Sequence, residues 1–539
     1  MSRTLRRAAY PLLTAALLCG LALTPPAQSR PETLNEPPGT EPAAAEPVAG
    51  QVTNALVRDL RRKRYQVTRG YPKLYTLEDC EQYSFPIMKN CFGNNPAAPY
   101  IFPIVKSWPD EYVDPATVNA FGKTRAGYSA TYRLGHREAI VVLGKMPPPG
   151  RYMGLQSYVF SGEARMHRLS GPYLAVRAKL PEMLKFLFAW VPGQEHRRLQ
   201  TFSSVSNPIN NVVVEQGSGA SWGKTRYFVI TADRGMNQVV RRALARQGVP
   251  DRFVFTEPIP AGDADDGDAR KSVEPPIHRL GLGKRANDFL TAMRYALPDD
   301  ERAGNAWRQS LPLTVLRVRA TGPARSVKPY PPLVYEPRVT PVNEVTGPQL
   351  RRGLVRLAAK VCERWGQPCD PKPLINLQGF PIRGIGRDCR EIGENCAGDN
   401  WDASYFIAGA RPLDSGEVYA LVGTLGTQTG NATYVALSVN NLEKLAGVIN
   451  VSDPELKGSA RAYSRSVRTH SKFFVHYLTR NCARIRDLTD GECTSIDRTV
   501  LPRGVKFASV VREYLAPGTR RGPDPTKLLK PRIIELRQP

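Results

Sequence analysis

Residues 79–100 read DCEQYSFPIMKNCFGNNPAAPY, and residues 388–405 read DCREIGENCAGDNWDASY. Each runs Asp-Cys, then Asn-Cys-x-Gly, then a small polar patch, an alanine and a tyrosine. Two such segments in one chain point to an internal duplication. The likeness continues in the same order. AIVVLG (139–144) answers VYALVG (418–423). After a turn, KMPPPG in one copy and TLGTQTG in the other, RYMGLQSYV (151–159) answers NATYVALSV (431–439). SNPIN (206–210) answers SDPEL (452–456), KTRYFV (224–229) answers HSKFFV (470–475), and RYALP (294–298) answers REYLAP (512–517). Last, LPLTVLRVR (311–319) answers LKPRIIELR (529–537). No single match is specific; the shared order argues for two copies.

The repeated unit reads mostly as strands. GYSATYRL, EAIVVLG, YMGLQSYVF, RYFVIT and LTVLRVR are short, rich in β-branched and aromatic residues, and bounded by Gly or Pro. GEVYALVG, ATYVALSV and KFFVHYL repeat the pattern. The expected fold class is α+β, mostly β, with two related antiparallel sandwich or jelly-roll-like domains and a few flanking helices. Helices are expected at 237–248, at 284–297, and at 350–361, where Leu350, Leu354, Leu357, Ala358 and Val361 recur at helical spacing. Residues 51–70 carry the basic run RRKR (61–64) on a short helix. The chain divides into a signal peptide (1–29), a tether with that helix (30–70), copy 1 (71–320), a linker with seven prolines (321–349) and copy 2 (350–539). The acidic loop 261–268 in copy 1 resembles a calcium loop, but it lacks the EF-hand glutamate and the flanking helices.

Arg3, Arg6 and Arg7 precede an apolar run at 11–23, and Ala27-Gln28-Ser29 offers a small-x-small cleavage site. This reads as a Sec-type export signal, with secretion or a periplasmic location expected. Cys19 raises a lipid anchor, yet Leu18 before it is bulky where a lipobox has a small residue. Eight cysteines then remain, in four close couples, and an exported chain pairs them as disulfides: Cys80–Cys91, Cys362–Cys369, Cys389–Cys396 and Cys482–Cys493. Zinc is disfavoured, because no CxxC occurs and no histidine lies at ligand spacing.

The stretch 127–160 resembles a pattern in uncharacterised secreted bacterial proteins with a duplicated jelly-roll-like domain. In these, a strand with a VVVxG run leads through a turn into a strand of the form (A/G)RYxSxxxY. Gly144, Arg151, Tyr152, Gln156 and Tyr158 carry the likeness, over about sixty residues. The resemblance implies a β fold and brings no chemistry. In the second copy Asn431 stands where Arg151 does, by alignment of the two segments.

There is no P-loop, no GxGxxG after a buried strand, no HExxH and no GxSxG nucleophile elbow, since GSGASW (217–222) reads as a Gly/Ser turn, and no cofactor is expected. Residues 398–405 (GDNWDASY) follow a short disulfide and flank a tryptophan with two acids. Asp399 and Asp402 are candidate acid and base for a glycan hydrolase or lyase, with Trp401 and Tyr405 as a stacking platform. A second constellation is basic. Arg461, Arg465, Arg468, Lys472, Arg480, Arg484 and Arg486 put seven cations in 26 residues. Arg480, Arg484 and Arg486, with Arg151, Tyr152 and Gln156, are the candidate ligand-binding residues beside Trp401 and Tyr405.

The net charge is +26 over 539 residues. It is spread through both copies, since residues 351–539 hold 29 Lys and Arg against 19 Asp and Glu, a net of +10. No aromatic–basic module of the nucleic-acid type is present, so nucleic acid is not an expected partner. The expected function is an exported, disulfide-bonded β protein that binds an anionic envelope or extracellular ligand, a glycan or a lipid head group, through a basic surface. The alternative is a glycan-active enzyme built on the 398–405 loop.

Overall fold

Strand β1 (Tyr65–Leu74) changes partner half-way along its length, and the change shows how each half of the molecule is built. Tyr65–Gly70 pairs with residues 320–315, and Tyr71–Leu74 pairs with residues 104–101. Gly70 is the corner. A Cβ there would collide with the Ile104 carbonyl oxygen and crowd a Val315 methyl, so only glycine lets the two sheets meet this closely.

The computed structural model describes residues 49–163, 198–260, 278–322, 327–331, 335–377 and 398–539. Pro47–Pro539 form one compact unit. The signal peptide, the tether as far as residue 48, the acidic loop and the Cys389–Cys396 couple lie outside the described residues. In the N-terminal half, helix α1 (Ala49–Arg62) precedes β1, and then come β2 (Tyr100–Lys106), β3 (Tyr128–Ser129), β4 (Thr131–Tyr132), β5 (Glu138–Lys145), β6 (Gly150–Glu163), β7 (Arg198–Ser204) and β8 (Ile209–Asn210). They are followed by α2 (Asn211–Ser218), β9 (Thr225–Thr231), α3 (Arg234–Ala245), β10 (Val254–Pro258), β11 (Asp288–Pro298), α4 (Glu301–Ser310) and β12 (Leu313–Ala320). The C-terminal half opens with α5 (Pro348–Trp365), then β13 (Lys372–Pro373), β14 (Ile375–Asn376), β15 (Ala403–Ile407), β16 (Glu417–Thr424), β17 (Tyr434–Asn441) and β18 (Ala446–Ser452). It closes with β19 (Phe473–Thr479), β20 (Cys493–Ser495), β21 (Phe507–Tyr514) and β22 (Arg532–Arg537).

The two halves share one topology. The outer N-terminal sheet runs β10-β9-β5-β12-β1, and the outer C-terminal sheet runs β20-β19-β16-β22-β13. The inner sheets run β1-β2-β11-β6-β7 and β14-β15-β21-β17-β18. In both halves the only parallel pair between named strands is the outermost one, β9 with β10 and β19 with β20. A helix precedes the corner strand each time: α1 before β1, and α5 before β13 and β14, which Leu374 alone separates. Even an irregular backbone is repeated. Leu297 and Leu515, three residues after Arg294 and Arg512, both take positive φ, 47° and 30°. The duplicated, mostly β architecture is thus present in the fold. Strand register corrects one detail. Arg294 lies opposite Gly154 and Arg512 opposite Ala436, which aligns Tyr152 with Tyr434. Thr433, not Asn431, therefore stands where Arg151 does; the turn lengths hid a two-residue shift.

Burial follows the same layering. Met153, Leu155, Val159, Phe289, Met293, Val142 and Phe228 fill the space between the N-terminal sheets, and Leu437, Val439, Val511, Leu421 and Phe474 do so in the C-terminal half. Helices α1 and α3 cover the outer face of one half through Leu56, Leu60, Val240 and Leu244. Helix α5 covers the other through Leu354, Leu357, Val361 and Trp365. Asp233 caps α3 by accepting from the N–H groups of Gly235 and Met236, and Pro348 starts α5 while Gly366 ends it at φ 61°. Most of the stretch 284–297, expected as a helix, is instead strand β11, which begins at Asp288. Phe289, Thr291, Met293 and Tyr295 face one core while Leu290, Ala292, Arg294 and Ala296 face the other. A strand buried on both faces shows no alternation of apolar and polar residues, and so imitates a buried helix. Helix α3 also has a short counterpart, the helical turns Cys482–Ile485 and Arg486–Thr489 between the parallel strands β19 and β20.

Candidate functional site

The inner sheets turn their free faces toward each other, and the 398–405 segment lies in that seam. Arg294 and Arg512 occupy equivalent positions. Each lies over the tyrosine paired with it on the neighbouring strand, Arg294 at 4.7 Å from the ring centre of Tyr100 and Arg512 at 5.9 Å from that of Tyr405. Arg294 donates to the Tyr158 hydroxyl at 3.0 Å, and Arg512 donates to Ser438 and to the Gly93 carbonyl. Tyr514 lies between Tyr152 and Tyr434, tilted 44° against the first at 4.8 Å and stacked on the second at 4.9 Å. Asn95, in the loop after the Cys80–Cys91 disulfide, donates to the hydroxyls of both Tyr434 and Tyr514 at 3.2 Å.

The structure brings both candidate acids into this seam, together with Tyr152 and Gln156. Asp402 is 0% exposed. One of its oxygens accepts from the Tyr152 hydroxyl at 3.0 Å and the other from Asn210 at 2.8 Å, with Arg521 at 3.7 Å. Burial pushes its carboxyl up to about 6, against the pull of Arg521. Asp399 is also buried; Ser204 donates to it through its N–H at 2.9 Å and its hydroxyl at 2.6 Å. Burial raises that carboxyl too, and the Ser204 hydrogen bonds hold it back. Gln156 accepts from the Tyr158 hydroxyl, which also donates to the Asp399 carbonyl.

A glycosidase pair must reach the glycosidic oxygen and a water from opposite sides of a sugar. Here all four carboxylate oxygens accept from the protein itself. Trp401 is engaged as well. Tyr335 stacks on it at 4.8 Å and 19°, the Arg338 guanidinium lies 5.0 Å from its ring, and its indole N–H donates to Ser204. Arg338 donates to the carbonyls of Asn400 and Ala403. The segment expected as a linker is thus a strap that clamps the 398–405 loop. The candidate residues of the sequence do not include Arg294, Arg338, Ser204, Asn210 and Asn95; the matched RYALP and REYLAP segments are the signal for Arg294.

Arg151 is apart from this cluster, exposed, with a loose pair to Asp299 at 3.8 Å and a longer-range attraction to Asp453. The basic stretch is elsewhere too. Arg480 is spent on backbone, donating to the carbonyls of Leu413, Ile496 and Leu501. Arg461, Arg465, Arg468, Lys472, Arg484 and Arg486 are exposed, and among the described residues none has a hydrogen-bonding or ion-pairing side-chain partner. The cores of their segments, Tyr463, Val467 and Ile485, pack with α5 in one cluster on the outer C-terminal sheet. The exposed Arg351, Arg352 and Arg356 of α5 belong to that same layer. From Leu456 to Arg486 the chain carries no Asp or Glu. The RRKR run differs: Arg61 donates to the Val67 carbonyl, and Arg62 and Lys63 gather with Arg246 around Asp59.

Three disulfides are closed, Cys80–Cys91, Cys362–Cys369 and Cys482–Cys493. No described helix is long and apolar enough to cross a membrane. The protein is therefore a disulfide-bonded, mostly β protein, compatible with an extracytoplasmic location. No protein-family model and no curated protein matches the chain. A solved structure of an uncharacterized protein from Burkholderia cenocepacia is similar at 10% identity, covering 91% of this chain and 96% of that one, with a TM-score of 0.33.

Proposed function

We propose that the protein is exported and binds an anionic envelope or extracellular ligand, a glycan or a lipid head group, through the basic layer over its outer C-terminal sheet. One observation carries this reading: Arg461, Arg465, Arg468, Lys472, Arg484 and Arg486 are exposed and, among the described residues, have no hydrogen-bonding or ion-pairing side-chain partner, while several other arginines are buried in ion networks or bonded to carbonyls. Arg317, for example, is fully buried between Glu138 and Glu111. Unneutralised charge on a surface costs self-repulsion and attracts polyanions. The three disulfides support residence in an oxidising compartment.

The test is binding of the disulfide-intact protein to phosphatidylglycerol vesicles and to a sulfated polysaccharide at 50 and 300 mM salt. Binding that falls steeply with salt, and falls again in Arg461→Glu/Arg465→Glu/Arg468→Glu, is the expected result. Salt-insensitive binding, or no loss in the triple variant, refutes the proposal.

A further inference from the structure

Within the basic layer lies a hollow of about 620 Å³ whose walls carry opposite charges. Lys457 and Arg461 line one part, and Asp490 and Glu492 another, with Arg364 alongside. Arg364 neutralises Asp490 through two hydrogen bonds of 2.6 and 2.9 Å. Glu492 has no hydrogen-bond or ion-pair partner for its carboxylate among the described residues. Partial burial and the nearby Asp490 raise its pKa. Among the described residues neither Lys457 nor Arg461 has a hydrogen-bond or ion-pair partner for its side chain, Lys457 feeling only a longer-range attraction to Asp453, although they share the hollow with Glu492. Opposite charges thus face one space without closing on each other.

The backbone that carries each of them is anchored. Glu492 sits between Gly491, at φ 85°, and Cys493, which is locked to Cys482. Its carbonyl accepts from the Tyr477 N–H at 2.9 Å. Lys457 is fixed by its N–H to the Asp453 carbonyl at 2.8 Å, and Arg461 by its N–H to the Gly458 carbonyl at 2.9 Å.

We infer that this hollow seats a phosphoethanolamine group, its phosphate on Lys457 and Arg461 and its ammonium donating to Glu492; the inference rests on the basic-layer reading for the surface that presents the ligand. Two cations suit a phosphate. A carboxylate acceptor calls for N–H donors, which a primary ammonium has and a quaternary one lacks. The ring that could serve a quaternary ammonium, Tyr463, already has the Arg364 guanidinium 5.9 Å from its centre. The volume lies within the range of small-molecule sites and exceeds what a single amino acid fills.

The experiment uses the full disulfide-bonded protein and vesicles of phosphatidylglycerol mixed with either phosphatidylethanolamine or phosphatidylcholine. Free O-phosphoethanolamine and glycine, followed by NMR, separate a membrane source from a soluble one and a phosphate from a carboxylate. The wild type is expected to prefer the ethanolamine vesicles about tenfold. Glu492→Gln, isosteric and near the surface, is expected to erase that preference while keeping binding to phosphatidylglycerol. O-Phosphoethanolamine is expected to bind, and glycine not. Arg465→Glu/Arg468→Glu, outside the hollow, is expected to weaken vesicle binding and leave O-phosphoethanolamine binding intact. Equal binding to both vesicle types with salt-sensitive binding preserved overturns this inference and leaves the basic-layer reading standing. So does a preference that survives Glu492→Gln, or equal binding of glycine. Loss of all vesicle binding, with O-phosphoethanolamine binding that depends on Glu492, overturns the basic-layer reading instead.

Discussion

Glu257 is fully buried in the N-terminal half and forms no ion pair among the described residues. One oxygen accepts from the Ser157 N–H and the Ser206 hydroxyl, and the other from the Ser157 hydroxyl, all at 2.6 Å. Ser157 in turn meets Thr291, and Thr291 meets the Tyr132 hydroxyl. Burial raises the Glu257 carboxyl from 4.5 to about 7. The folded state therefore holds this proton more tightly than the unfolded chain. The stabilisation is complete below 4.5 and is lost as pH rises through 7. At about 1.4 kcal/mol per decade of proton affinity, the loss amounts to about 3 kcal/mol. Glu257→Gln keeps the shape. Its carbonyl oxygen can accept from the Ser157 N–H and Ser206, and its amide can donate to the Ser157 hydroxyl, with the hydroxyl chain reversing direction. Urea denaturation at pH 4.5 to 8.5, followed by tryptophan fluorescence, measures the difference. The variant is expected to match the wild type near pH 4.5 and to exceed it by about 3 kcal/mol at pH 8.5, with the difference building between 4.5 and 7 and level above 7. An offset that is the same at every pH would falsify the assignment of this cost to a buried carboxylate.

Other perturbations test the frame. Gly70→Ala drives a methyl into the Ile104 carbonyl at the sheet corner and is expected to cost about 3 kcal/mol or more; a change under about 0.5 kcal/mol in the denaturation midpoint refutes the corner argument. Arg294→Met and Tyr158→Phe both strip the seam bond between these residues. In a double-mutant cycle they are expected to couple by about 1–2 kcal/mol, and strict additivity refutes a shared interaction. Cys482→Ser/Cys493→Ser opens a loop of separation 11 and is expected to cost about 2–3 kcal/mol, with new protease cleavage inside the loop under native conditions. An unchanged digest shows that the loop is held by packing alone. Asp402, raised to about 6 by burial, adds to the acid-side stability, so Asp402→Asn is expected to flatten the pH profile between 4 and 6; a profile identical to the wild type contradicts its desolvation.

Much of the architecture was legible because it is local or repeated. Cysteine couples 7 and 11 residues apart can close with little help from the rest of the fold, and three of them do. Strands β5, β9, β16 and β19 announce themselves by β-branched and aromatic runs, and α5 by apolar spacing. β11 did not, because both of its faces are buried and its pattern is continuous. The register of β6 against β17 was misread by two residues, since turn length shifts an alignment without changing the strand that follows.

The candidate site divides along the same line. Composition and order alone determined that two acids flank Trp401 and that seven cations crowd 461–486. They could not determine that Tyr152 and Asn210, some 250 and 192 residues before Asp402, would take both of its oxygens. Nor could they show that Tyr335 would stack on Trp401, or that Arg480 would turn to carbonyls while Arg465 and Arg468 stay exposed. The reason is physical. Propensity, turn chemistry and periodicity act over a few residues, and the sequence records them directly. Desolvation, pairing and the pKa of a carboxyl depend on groups that come within 3 or 4 Å only when two distant sheets close on each other. For this protein the duplicated β frame belongs to the sequence, and the choice between buried tie and open binding surface belongs to the tertiary structure.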